Sequence, residues 1–214
     1  MFPDESAVID LTRPIESSMP VYPADPPVDI TAHADIEADG YRVSTVTLGT
    51  HTGTHIDAPS HTEPDGESME TFTPRELQFS AHIVDCRSFE ANTLIDPSVL
   101  PPLTDSATTI DLIIFHTGWE DAWGTSQMTD YPALAPQTAE QCAAAGVAVA
   151  TDAMSPDPTG DGGVPAHHAL LGAGLPIIEN ICNLASLPNE TAEVLVCPLR
   201  IDADGAPARV IAWS

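Results

Sequence analysis

Apolar positions along this chain fall in short bursts separated by proline and glycine breaks, with 21 Pro and 13 Gly in 214 residues. Bursts of four to eight residues rich in β-branched side chains predict strands more readily than helices. Ala7–Leu11 reads as a short strand, Ser17–Pro27 as an extended loop carrying four prolines, and Tyr41–Leu48 as a strand ending at Gly49. Ala81–Cys86 and Asp111–His116 are apolar runs of strand length, expected to be buried on both faces. Pro136–Ala145 predicts a helix, with proline in its first turn and Gly146 where a left-handed cap belongs. Val147–Asp152 then predicts a strand, and Ala166–Ala173 a second short helix stopped near Gly174. Ile177–Glu179, Val194–Leu199 and Ala208–Trp213 predict further strands. Strands outnumber helices and no linker or repeat divides the chain. The expectation is a single domain over residues 1–214, α/β or α+β, built on a mixed sheet with few helices.

Charge narrows the function. Six basic residues stand against 32 acidic ones, a formal net charge of −26, and all six are arginines: Arg13, Arg42, Arg75, Arg87, Arg200 and Arg209. Nucleic-acid binding needs a basic face for counterion release, and an anionic membrane needs the same, so neither is expected as a partner. Lysine is absent, which excludes amine nucleophiles and phosphate-binding lysines. The acidic residues are scattered rather than clustered, which favours adaptation to high salt over an acidic binding patch. The opening Met1–Ser6 is acidic and lacks the basic and apolar stretches of a signal peptide. The four cysteines, Cys86, Cys142, Cys182 and Cys197, form no CxxC pair and are expected as buried, reduced thiols. Together these features lead to the expectation of a cytoplasmic protein.

The chemistry concentrates in His51-Thr-Gly-Thr-His55-Ile-Asp57-Ala-Pro-Ser-His61. On a helix His55 would lie about 40° from His51 but Asp57 about 240° away. Gly53 and Pro59 also oppose a helix, so a turn or loop folding these side chains inward is expected. Two imidazoles and a carboxylate so close in sequence suit a divalent ion of the Zn or Mn type. Downstream, His167-His168 and Glu179 form a second group, Glu179 following the apolar Pro-Ile-Ile. A carboxylate at the end of a buried strand needs a partner, and a metal would serve. A Cys86 nucleophile paired with His116 or His82 has no supporting signature, and Ser44, Ser60 and Ser155 lack a G-x-S-x-G elbow. Tyr22, Trp119 and Trp123 are either pocket walls or core aromatics. A non-catalytic metal- or small-molecule-binding module is the competitor of a different class.

The segment HTGTHIDAPSH resembles the HxGTHxDxPxH signature of the cyclase-like metal-dependent hydrolases, the family of bacterial arylformamidase (kynurenine formamidase) and isatin hydrolase. The likeness spans nearly the whole chain. It includes Asp10-Leu11-Thr12, Met19–Pro23, the His116–Trp119 segment, Thr151–Pro156 and the run from His167 to Glu179. The resemblance implies a swivelling β/β/α-type fold, a homodimer or larger homo-oligomer, a small-molecule substrate and one or two divalent ions. It implies that His51, His55 and Asp57 hold one ion, that Asp57 bridges to a second held by His167 and Glu179, and that His61 moves the proton. Spacing to Glu179 favours His167 over His168. The implied reaction is metal-assisted hydrolysis of a formamide or cyclic amide C–N bond, best matched to N-formylkynurenine, with Tyr22 against the substrate. Tyr22 stands where formamidases commonly have Trp, and Ala153-Met154 replaces Thr-Pro of their "DTPS" segment.

The charge generates a prediction of its own. Screening reaches about 30 Å at ~0.01 M salt and about 3 Å at ~1 M, so repulsion among carboxylates fades across that range. The melting temperature is expected to rise steeply through it and continue rising into molar KCl. A melt that stays flat across the KCl series contradicts the high-salt reading.

Overall fold

The computed structural model describes residues 8–103, 110–160 and 162–213. Met1–Ser6 and Ala7, the first residue of the expected opening strand, lie outside them. In chain order the strands are β1 (Ile9–Asp10), β2 (Asp29–Ala34), β3 (Val43–Thr47), β4 (His55–Asp57), β5 (Gln78–Asp85), β6 (Leu94–Ile95), β7 (Leu112–His116), β8 (Ala133–Leu134), β9 (Ala148–Thr151), β10 (Ile177–Glu179), β11 (Thr191–Pro198) and β12 (Gly205–Trp213). The α-helices are α1 (Ile36–Asp39), α2 (Pro136–Ala145) and α3 (Pro165–Leu171).

Eight strands form one mixed sheet in the order β1-β12-β11-β5-β7-β9-β10-β4, and β4 pairs back onto β12. The seven strands from β12 to β4 therefore close into a barrel, with β1 added beside β12 as the edge strand. β5, β7, β9 and β10 run parallel, and the remaining pairs are antiparallel. Strand alternation sorts the apolar residues to two sides. Ile56, Phe79, Ala81, Leu112, Ile114, Ala148, Ala150, Ile178, Val194 and Ala206 meet in one buried cluster drawn from every strand of the ring, its interior. The alternate residues Ile113, Phe115, Val149 and Ile177 face outward onto Ala139 and Cys142 of α2 and Ala166, Leu170 and Leu171 of α3. Each large aliphatic side chain buried this way contributes about 1.5–3 kcal/mol. The alanines let strands approach across a narrow interior.

The mixed sheet with few helices agrees with the expectation from sequence. The α2 boundaries match, and Gly146 caps that helix at φ +73°. The α3 helix ends earlier than expected, at Leu171. The clearest correction concerns His55–Asp57, expected in a loop and found as β4. Three residues are too few for their period to show, and pairing to β10 and β12 on both sides makes the strand. The run at Ala81–Cys86 is not buried on both faces, since His82 and Ile83 are half-buried, whereas every residue of β7 is buried. β3 lies within the strand expected over Tyr41–Leu48, whereas its partner β2 and the helix α1 were not expected, and five of the six residues of the polar Asp29–Ala34 run are exposed. Cys86 and Cys142 are buried, but Cys182 is half-buried and Cys197 is exposed. Cys197 follows the inward Val196 on β11, so the pleat turns it out. No helix among the described residues is long and apolar enough to cross a membrane.

Candidate active site

The pleat of two neighbouring strands assembles the centre of the site. On β4, Ile56 points into the barrel, so His55 and Asp57 share the outer face. β10 runs antiparallel beside it with Glu179 opposite His55 and Ile178 opposite Ile56. Glu179 therefore falls on the same face as His55 and Asp57. The α3 helix packs on that face and brings His167 over it, while the turn before β4 supplies His51. All five candidate ligands of the sequence reading are brought together.

Distances define how these side chains are aimed. Asp57 Oδ1 lies 2.7 Å from His51 Nδ1 and 3.2 Å from His55 Nε2, and Asp57 Oδ2 lies 3.6 Å from His167 Nε2. Glu179 reaches both other rings, Oε2 at 3.3 Å from His55 Nε2 and Oε1 at 3.4 Å from His167 Nε2. One carboxylate thus stands between two groups of donors, His51–His55–Asp57 and Asp57–His167–Glu179, each with donor atoms within 4.8 Å of one another. His55 donates Nδ1–H to the Gly53 carbonyl at 2.9 Å, which turns its Nε2 toward the carboxylates. Gly53 reaches this position with φ at +61°, a backbone state that suits glycine. His167 Nδ1 lies 2.6 Å from Asp157 Oδ2, which aims its Nε2 the same way.

Three buried atoms in this cage complete no hydrogen bond: His55 Nε2, Asp57 Oδ2 and Glu179 Oε1. Unmatched buried polar atoms are costly, and here they converge. A nitrogen and oxygen donor set converging with unused lone pairs fits a divalent cation. The electrostatics point the same way. Burial opposes charge on His55, but Asp57 and Glu179 outweigh it and raise its pKa to about 10. Burial likewise opposes charge on His167, and Asp157, Asp57 and Glu179 hold it well above the usual value. Burial pushes Asp57 up, yet His55, His167 and His51 bring it well below the carboxylate range. Without a metal, protons must supply the positive charge these two buried carboxylates require; a divalent ion replaces them.

The remaining predicted residues separate cleanly. His61, on a 3₁₀ turn after Pro59, has its ring centroid 4.0 Å from that of His51 and 5.5 Å from that of His167. Burial lowers its pKa. His168 points away and is exposed, with Nδ1 at 2.9 Å from Glu63. Tyr22, Trp123, Met154, Ser155 and Val164 line a cavity of about 240 Å³ whose floor holds His51, His55, His61, His167 and Glu179. A cavity of ~150 Å³ accepts benzene, so this one has room for a substituted ring. Trp119 belongs to the aromatic cluster beside that wall. Ser44 is exposed on β3, Ser60 follows Pro59, and Ser155 Oγ accepts the Asp157 N–H at 3.1 Å. Cys86 is buried, and burial pushes its thiol up to about 12, which opposes a nucleophilic role beside His116 or His82.

Three functional neighbours escaped the sequence reading. Asp204 Oδ2 lies 3.0 Å from His51 Nε2 and 3.3 Å from His61 Nδ1, linking two site histidines. Gly205 leaves room for His51, since a Cβ there would lie 2.9 Å from its Cε1. Asp157 accepts the Ala166 and His167 N–H groups at 2.8 and 3.0 Å as well as orienting the His167 ring. No local signal marks them in the sequence, where two are among 32 acidic residues and the third among 13 glycines. The segments His116–Trp119 and Thr151–Asp152 serve structure: buried Asp152 accepts the Thr117 and Gly118 N–H groups at 2.8 and 2.7 Å.

Both the sequence and the fold of this chain are shared with known proteins. The family model described as "Putative cyclase" matches residues 9–158, and the chain belongs to that family. It is 32% identical to a kynurenine formamidase of Salinibacter ruber, over 96% of each chain. It is 31% identical to a kynurenine formamidase of Geobacillus thermodenitrificans, over 94% of each. Among solved structures, an isatin hydrolase bound to the product analogue thioisatinate superposes with a TM-score of 0.85 at 21% identity, over 97% of this chain and 92% of that one. A predicted metal-dependent hydrolase from Bacillus stearothermophilus gives 0.78 at 28% identity, over 96% and 97%.

Asp157→Ala would strand three buried donors at once. It is expected to destabilise the protein by about 2 kcal/mol or more in urea denaturation. Unchanged stability would contradict the role given to Asp157.

Proposed function

We propose that this protein is a metal-dependent hydrolase that cleaves the C–N bond of a small formamide or cyclic amide, with N-formylkynurenine as the best-matched substrate. The observation that carries this reading is the convergence of His55 Nε2, Asp57 Oδ2 and Glu179 Oε1, unpartnered and buried, beside a ring-sized cavity that His55 and Glu179 line. His51, His55 and Asp57 hold one ion, and Asp57, His167 and Glu179 hold a second where two are bound; zinc and manganese suit these donors. A divalent ion there supplies a Lewis acid that polarises the amide carbonyl and acidifies water toward neutral pH.

The chain's own residues do the rest. With no lysine and the six arginines outside the cavity lining, no side-chain cation competes for the oxyanion. His61 lines the cavity with Nδ1 toward Asp204, which leaves Nε2 for proton transfer. Its lowered pKa leaves it neutral near pH 7, able to take a proton from water and deliver it to the leaving nitrogen. Tyr22, Trp123 and Met154 exclude water from the ring of the substrate. Tyr22 and Met154 are also where this wall departs from the formamidase pattern, which supports a second reading, hydrolysis of a cyclic amide such as isatin.

The assay is ultraviolet turnover of N-formylkynurenine and isatin by metal-loaded protein, with two variants. Asp57→Ala is expected to lose metal and activity together. His61→Ala is expected to keep its metal while turnover falls ~10²–10⁴-fold. Full metal and normal turnover in Asp57→Ala would sink the metal role; loss of metal in His61→Ala would make that residue a ligand.

We also propose a homo-oligomer. The β2–β3 ribbon is two strands wide and exposes Ile30, Val43 and Val46, with Tyr41 beside them. Such a ribbon is marginal alone. Sedimentation is expected to give a dimer or larger species, and a monomer at micromolar concentration would contradict it.

A further inference from the structure

Arg13 is one of only six basic side chains in a chain of charge −26, and it is half-buried rather than displayed on the acidic surface. Its surroundings give it an unusual set of attachments. The guanidinium Cζ lies 4.3 Å from the centroid of the Trp123 ring. Its Nη2 donates to the Glu120 carbonyl at 3.0 Å, inside the 3₁₀ turn Trp119–Ala122 that leads into Trp123. Its backbone N–H donates to Thr54 Oγ1 at 2.9 Å, and that hydroxyl donates to the Asn180 carbonyl at 2.7 Å. Thr54 immediately precedes His55, and Asn180 immediately follows Glu179.

One residue thus joins the strand ends that carry the cage to the loop that carries one wall of the cavity. Trp123 lines the cavity, whereas Arg13 does not. Upstream the loop is fixed by Asp152, which holds Thr117 and Gly118. Nearer the cavity, the contacts of Arg13 reach both the backbone before Trp123 and the ring itself. A planar guanidinium over an indole face gains both stacking and electrostatic attraction, which lysine reproduces poorly.

We propose that Arg13 is a specificity-determining positioning residue: by stacking on Trp123 and holding the Glu120 carbonyl, it sets the height of the aromatic wall above the cage and so selects ring-bearing amides. This rests on the hydrolase reading for its kinetic arm but not for its structural arm.

The structural arm uses acrylamide quenching in a Trp119→Phe, Trp213→Phe background, where Trp123 is the sole indole. Adding Arg13→Met is expected to raise the quenching constant about threefold and shift emission to the red, with Arg13→Lys between the two. The kinetic arm compares wild-type, R13M and R13K proteins, metal-loaded, on N-formylkynurenine and isatin. KM is expected to rise about tenfold in R13M, less in R13K, with kcat and bound metal within twofold. Unchanged quenching with unchanged KM overturns the proposal. So does a parallel fall of kcat, metal content and melting temperature, which would make Arg13 a fold residue. If wild-type protein turns over neither amide, the hydrolase reading fails on its own, and quenching alone decides whether Arg13 positions Trp123.

Discussion

Two carboxylates, Asp57 and Glu179, are buried almost completely on the outer face of a barrel, and that burial is the constraint around which the site is built. Neither has an arginine or lysine against it. Charge compensation falls to three imidazoles, and each imidazole is in turn oriented by an acceptor: His51 by Asp204, His55 by the Gly53 carbonyl, His167 by Asp157. These outer contacts fix which nitrogen of His55 and of His167 faces inward. The cage is therefore prepared for a cation, and its unmatched atoms are the cost of that preparation.

The barrel makes the burial affordable. Pairing of β4 to both β10 and β12 removes the edge that a three-residue strand would otherwise expose, and it locks the register that sets His55 against Glu179. A slip of β4 by one residue would send His55 and Asp57 into the apolar interior, away from Glu179 on β10, and Ile56 out of it. The short period of the strand, the closure of the sheet and the chemistry of the outer face are one arrangement.

Much of this was legible in the chain. Helix α2 announced itself through Pro136 and Gly146, and β7 through an unbroken apolar run. The ligand-type residues between His51 and His61 were conspicuous because four side chains of metal-binding type fell within eleven residues. What was not legible depends on contacts between distant segments. Asp157 and Asp204 looked like any others among 32 acidic residues, and only folding brings them within 3.0 Å of His167 and His51. The strand character of His55–Asp57 is likewise imposed by its neighbours, since Gly53 and Pro59 argue locally for a turn. β3 showed through its β-branched run, but β2 is exposed along nearly its whole length and so left no alternating pattern to read.

The central claim is that the buried cage holds a divalent ion between Asp57 and its histidines. Anomalous diffraction from crystals of protein reconstituted with zinc, collected above and below the zinc edge, tests it most directly. The predicted result is a peak about 2.0–2.2 Å from a carboxylate oxygen of Asp57 and an imidazole nitrogen of His55 or His167. Zinc density confined to surface carboxylates, with the cage showing no anomalous signal at saturating metal, would contradict it.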